Sequence, residues 1–191
     1  MYKIDLAKES IANFDRIIIK KEKSQVYVYD NTNDRTDTIY SVKYDNKQLC
    51  IQTDEIECSI YQMYPNATSK NIKLNQTIKR INDIITVNFK HDYGICINKY
   101  EQPSSRIKLS RYIEFYDVNG ILISPQKFYS RKSSRVYGKY SIIFDHIYVC
   151  NRDNCKAIDY CWKVTQIQKL PRPDQISDES DDTESLESDS E

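Results

Sequence analysis

Short runs of β-branched and aromatic residues, broken by polar turns, constrain this chain more than any other feature. Residues 25–29 (QVYVY), 39–44 (IYSVKY), 49–53 (LCIQT) and 58–61 (CSIY) are rich in Val, Ile and Tyr, with Asp45, Asn46 and Lys47 forming a polar step between two of them. Such residues fit a pleated surface packed on one side, and brief polar breaks fit hairpins. The spacing predicts a meander in the first third. A second strand group is expected at 84–90, 95–99, 111–116, 121–123, 140–150 and 156–164, with turns at Asn119 and Gly120 and at 151–154.

Between the groups, Ile78, Ile81 and Ile85 recur at helical spacing behind Asn75, which suits an N-cap. One short helix is expected there, and Ile4, Ala7, Ile11 and Phe14 sketch another over 4–15. Strands, a helix and more strands predict a mainly β fold, a small Greek-key barrel of OB-like type with one or two short helices. A β-sandwich is the alternative. The predicted body spans 1–170; Pro171 and Pro173 end it, because two prolines in three residues continue neither a ladder nor a helix.

The net charge of zero hides a division. Residues 174–191 hold nine acids and no base: Asp174, Asp178, Glu179, Asp181, Asp182, Glu184, Glu187, Asp189 and Glu191. That leaves 28 basic residues against 19 acidic ones over 1–173. With only Ile176 and Leu186 as large apolar residues beyond the prolines, 171–191 cannot build a core and is expected to be a disordered acidic tail. A basic body suggests an anionic partner, for which the tail is a tethered competitor.

Several chemistries are poorly provided for. The three glycines, Gly94, Gly120 and Gly138, stand too far apart for a phosphate-cradling loop, and His91 and His146 are the only histidines. No HExxH, CxxC, GxSxG or GxxxxGK[ST] occurs. A non-enzymatic protein without a cofactor is expected.

Residues 1–16 lack the apolar stretch of a signal peptide, and no run approaches the ~20 apolar residues of a membrane span. The chain is therefore expected to act inside a cell, in the cytoplasm or at a viral replication site, with no membrane partner and with its six cysteines reduced. His146, Cys150, Cys155 and Cys161 have zinc-compatible residue types, but their spacing matches no usual pair. On one strand, Cys155 and Cys161 would lie ~20 Å apart. Reduced cysteines are the preferred expectation over a metal site.

The segment 127–140 combines Lys127, Arg131, Lys132, Arg135 and Lys139 with Phe128, Tyr129, Tyr137 and Tyr140 and contains no acid. Single-stranded nucleic acid wants this mixture, because cations neutralise phosphates and aromatic faces stack unpaired bases for ~1–3 kcal/mol each. Its serines and Gly138 suggest a flexible loop, with Tyr129, Tyr137 and Tyr140 as the stacking rings. Lys73, Lys79 and Arg80 form a second basic group and Arg106, Lys108 and Arg111 a third, with Tyr112 among the accompanying tyrosines. All three are expected to share one concave track.

Residues 39–53 (IYSVKYDNKQLCIQT) and the acidic segment 174–191 give the chain a resemblance to the single-stranded-DNA-binding replication proteins of phages and large DNA viruses. That resemblance implies an OB-fold body that coats exposed strands during replication, and the expected role is in DNA replication or recombination of a viral or plasmid genome. It also implies a tail that recruits replication proteins. Phage members often finish on an aromatic residue, whereas this chain ends on Ser188, Asp189, Ser190 and Glu191. RNA suits the same basic-aromatic surface. A viral structural or host-interaction β-protein that binds no nucleic acid is the rival reading.

Overall fold

A computed structural model describes residues 1–5, 17–29, 33–61, 66–93, 107–128, 133–152 and 155–173. The expected acidic tail beyond 173, residues 6–15 of the helix expected over 4–15 and the strand at 95–99 lie outside them. The described residues form β1 (Tyr2–Asp5), β2 (Ile17–Tyr29), β3 (Asn33–Tyr44), β4 (Lys47–Gln52), β5 (Ile56–Tyr61), β6 (Asn66–Ser69), α1 (Ile72–Tyr93), β7 (Ile107–Tyr116), β8 (Leu122–Ile123), α2 (Pro125–Phe128), β9 (Ser133–Arg152) and β10 (Cys155–Lys169). The mainly β expectation holds. Ile4, assigned in the sequence to a first helix, instead sits in β1, which pairs in parallel with β4.

Five strands close a ring. β5 pairs with β6, β6 with β7, β7 with β10, β10 with β9, and β9 returns to β5. Only the β7–β10 contact is parallel, as the other four are antiparallel. Counted along the chain, the ring order is first, second, third, fifth, fourth, a Greek-key barrel. β9 is its longest member, at 20 residues. One edge of β9 meets β10 from Gly138 to Arg152, while the other meets β5, then β4, then β3 in succession. β2 pairs with β3 and extends the sheet beyond the ring.

Turn chemistry agrees with the backbone. Asp45 and Asn46 both take positive φ, 46° and 60°, as the tight β3–β4 hairpin requires, and these residue types tolerate that region. After β7, the Asp117 carboxylate accepts the N–H groups of Asn119 and Ile121 at 2.9 and 2.8 Å, and Gly120 supplies φ 76°.

The helix is longer than its sequence signal, and its cap lies one turn earlier. Asn71 accepts the Leu74 N–H at 2.9 Å, while Asn75, expected as the cap, sits inside α1 and reaches back to the Ser69 carbonyl at 3.0 Å. Residues 84–90, expected as a strand, are helical. Ile85 and Phe89 continue the buried stripe of Leu74, Ile78 and Ile81, and burying that whole stripe outweighs the local β preference of Ile84, Ile85, Thr86 and Val87. The stripe meets the inner faces of β3 and β10. Phe89 lies edge-on to Tyr40 at 4.7 Å, the Trp162 indole donates to Asn82 at 3.0 Å, and the hydroxyls of Thr86 and Tyr160 are hydrogen-bonded. Among the described residues, no helix is long and apolar enough to cross a membrane.

Candidate nucleic-acid interface

The segment 127–140 is not a single loop. Lys127 and Phe128 end α2, and from Ser133 the chain is already strand β9. Tyr129, Arg131 and Lys132 lie outside the described residues. Strand alternation then divides the remainder: Arg135, Tyr137 and Lys139 turn outward, while Val136 and Tyr140 turn into the barrel.

Two expected contact rings are thereby corrected. Tyr140 is 2% exposed, and its hydroxyl donates to the Val136 carbonyl at 2.7 Å. Phe128 is buried against Phe115 at a centroid distance of 4.3 Å. A ring packed in the core has no face to offer a base. Gly138 also differs from its expected role: a Cβ there would stand 2.1 Å from the Gln168 carbonyl oxygen, so this glycine permits close approach of β9 to β10 rather than loop freedom. Of the outward group, Tyr137 donates to Glu55 at 3.1 Å and Lys139 lies 3.9 Å from the same carboxylate. Burial, then Glu55, pushes the Tyr137 hydroxyl above its ordinary pKa.

The helical patch lies elsewhere. Lys79 and Arg80 are exposed and Lys73 is half-buried on α1. Along β10, Tyr160 and Trp162 point toward α1, so the alternating Cys161 and Lys163 point away from it. The exposed side of α1 and the outer face of β10 are therefore on opposite sides of the sheet. The expected continuous track through Lys73, Lys79 and Arg80 does not form with Lys108.

The third group is where the geometry concentrates. Lys108 pairs with Lys163, Lys163 with Ile143, Ile143 with Cys50, and Cys50 with Lys3. Residues in register share a face, so Lys3, Lys163 and Lys108 stand on one row crossing five strands, about 20 Å long at ~4.8 Å per strand. The adjoining row on this outer face runs Asp5, Gln52, Ser141, Gln166, Glu114 in register. The Ser141 hydroxyl donates to Gln166 at 3.1 Å, and the Gln166 amide donates to Glu114 at 2.8 Å. Hydrogen bonds from Gln166 and then Tyr116 hold the Glu114 carboxyl below the usual carboxylate range. A basic row is thus bordered by a polar one with acids at both ends.

Beside Lys108 the strand is deformed. β7 and β10 are in register at Leu109 with Val164 and again at Glu114 with Gln166, so Ser110, Arg111, Tyr112 and Ile113 face Thr165 alone. This bulge breaks the alternation, leaving Arg111 and Tyr112 outward while Ile113 packs against the core, and the Ser110 hydroxyl accepts the Tyr112 N–H at 3.2 Å. Arg111 is exposed and Tyr112 is 88% exposed. Arg106 lies outside the described residues.

Lys108 and Arg111 of this face are expected from the sequence, Lys3 and Lys163 are not, and Tyr112 stands there only as an accompanying tyrosine. Lys163 falls within the predicted strand 156–164, but which face of that strand turns outward has no local signal. Its alignment with Lys108 and Lys3 had no local signal. Neither could the four-residue zinc set assemble: on one strand Cys150 stands ~13 Å from His146, and on the next Cys155 stands ~20 Å from Cys161. No family model, curated protein or solved structure matches the chain.

Proposed function

We propose that this chain is a non-enzymatic, OB-like barrel protein that binds single-stranded nucleic acid along the outer face of β7, β10 and β9. Its role would be in DNA replication or recombination of a viral or plasmid genome. The observation that carries the reading is the lysine row ending at a bulge with an exposed tyrosine. Lys108 and Lys163 are neighbours on adjacent strands with Lys3 three strands further along the row, Lys163 being held by Asp145 at 2.7 Å, and Tyr112 offers an open ring on the same strand as Lys108. The five-stranded Greek-key ring supports the assignment, because in OB barrels the second and third strands carry the oligonucleotide face. Here those strands are β6 and β7, of which β7 lies in the proposed face. Lys127, Arg135, Tyr137 and Lys139 extend the surface along α2 and β9, with Glu55 moderating the last two.

The acidic tail competes for this row when nucleic acid is absent and recruits replication partners when it is displaced. Binding is read from quenching of tyrosine and Trp162 fluorescence on titration with oligo-dT. Affinity should fall steeply as salt rises, and deletion of 174–191 should strengthen it. A flat titration at low salt sinks the binding reading, whereas unchanged affinity on tail deletion sinks only the competition. An RNA oligomer of equal sequence, run alongside, decides which polymer is preferred.

One observation favours a second reading, a β-protein that docks another protein without nucleic acid. Val118, Ile121 and Leu122 are exposed apolar residues together at the β7–β8 hairpin, beside the same strand. Salt-insensitive capture of a protein partner with no oligonucleotide response would support it.

A further inference from the structure

A second irregularity lies on the same outer face, between β9 and β10. His146 is in register with Cys161 and Phe144 with Trp162, so Asp145 is an extra residue on β9. A bulge of this kind interrupts alternation and turns two consecutive side chains toward one side. Asp145 and His146 accordingly both join Cys161. One ligand atom from each of the three lies within 4.8 Å of the others. Asp145 and His146 are about a quarter exposed, while Cys161 is 3% exposed beneath them.

The cluster already holds a cation. The Lys163 ammonium is 2.7 Å from Asp145 Oδ2, and His146 Nδ1 is 2.6 Å from the same oxygen. The Asp145 carboxyl group thus stands beside an imidazole and a thiol and is held by the Lys163 ammonium.

We propose that Asp145, His146 and Cys161 form a three-ligand site for a divalent transition-metal ion of the zinc type, with a fourth position open to water. The donor set decides the class. Thiolate and imidazole suit zinc and its neighbours and disfavour calcium and magnesium, which take oxygen ligands. Metal–ligand bonds of ~2.0–2.3 Å require donor atoms a few ångströms apart, which side-chain rotation can supply from the present separation. On binding, the Cys161 thiol gives its proton to solvent, the sulfur bonds the ion, and Lys163 leaves Asp145. This last step deepens the proposed function and rests on it: a metal ion would return the Lys163 ammonium to the row it shares with Lys108.

The test is titration of the full-length, reduced chain with cobalt(II) as a spectroscopic probe, followed by zinc. One equivalent of cobalt should produce a thiolate-to-metal charge-transfer band that zinc abolishes, Cys161→Ser removes and Cys50→Ser leaves intact. His146→Gln should weaken cobalt binding tenfold or more, and it decides the matter if Cys161→Ser fails to fold. No thiolate band at one equivalent overturns the site, as does a full-strength band in Cys161→Ser or unweakened binding in His146→Gln. Oligo-dT binding with and without zinc is measured separately. If the band appears and nucleic acid never binds, the metal site stands and only its link to the lysine row is lost.

Discussion

Residues 127–140 and 107–116 look alike as sequence, since both mix lysine or arginine with tyrosine, yet the barrel uses them differently. In the first, regular alternation along β9 sends Tyr140 inside and leaves Tyr137 leaning on Glu55. In the second, a four-residue bulge interrupts the alternation and leaves Tyr112 outward. The difference teaches that basic-aromatic composition marks a strand near a surface, while the backbone irregularity determines which ring reaches solvent. A candidate contact residue is better sought where pairing fails than where rings are most frequent.

The contrast can be broken most decisively through stability. Tyr140→Ala should cost about 3–5 kcal/mol, as for other buried aromatic truncations, while Tyr112→Ala should change stability by less than about 0.5 kcal/mol in the same urea melts. Equal losses would erase the distinction between core ring and surface ring. The β9 segment should also report its burial through pH. Cys58, across from Val136 on β5, has its thiol pushed up to about 11 by burial. Because the folded value is raised, its contribution is complete below the ordinary thiol range and is lost as pH climbs toward about 11. That loss, on the order of 2–3 kcal/mol, should be absent in Cys58→Ser, so parallel alkaline melts of both chains would count against the buried assignment.

Binding sharpens the comparison from the other side. Tyr112→Ala should weaken oligo-dT affinity by about 1–3 kcal/mol, while Tyr137→Phe should leave it nearly unchanged, both read by fluorescence quenching. The smallest effect concerns charge. Lys108→Ala should reduce the slope of log affinity against log salt by about 1. Lys79→Ala, on the far side of the sheet, should leave the slope as it was; the reverse pattern would move the interface to α1.

The legible and illegible parts of the molecule divide on physical grounds. β3, β4, β5 and the β9–β10 hairpin could be anticipated because their signals are local: β-branched runs, and turn residues that tolerate positive φ. The second half of α1 was hidden because Ile84, Ile85, Thr86 and Val87 favour strand locally, and only packing against Tyr40, Tyr160 and Trp162 decides otherwise. The burial of Tyr140 was hidden because which face of a strand turns inward depends on the partners it meets. The row of Lys3, Lys163 and Lys108 was hidden for the same reason, since it exists only after β1, β4, β9, β10 and β7 come into register. Asp145 was passed over because a bulge is a mismatch in residue count between two strands, which neither strand reveals alone.

One edge of β9 is tenanted in turn by β5, β4 and β3, while its opposite edge keeps β10 from Gly138 to Arg152. A plank shared in this way ties the ring to the strands outside it. Trimming the chain to a minimal ring would strip β9 of two neighbours and expose bare ladder groups inviting self-association. Fragment complementation with a cut between 138 and 150 should fail for the same reason, so any engineering of this scaffold is best begun at its outer hairpins.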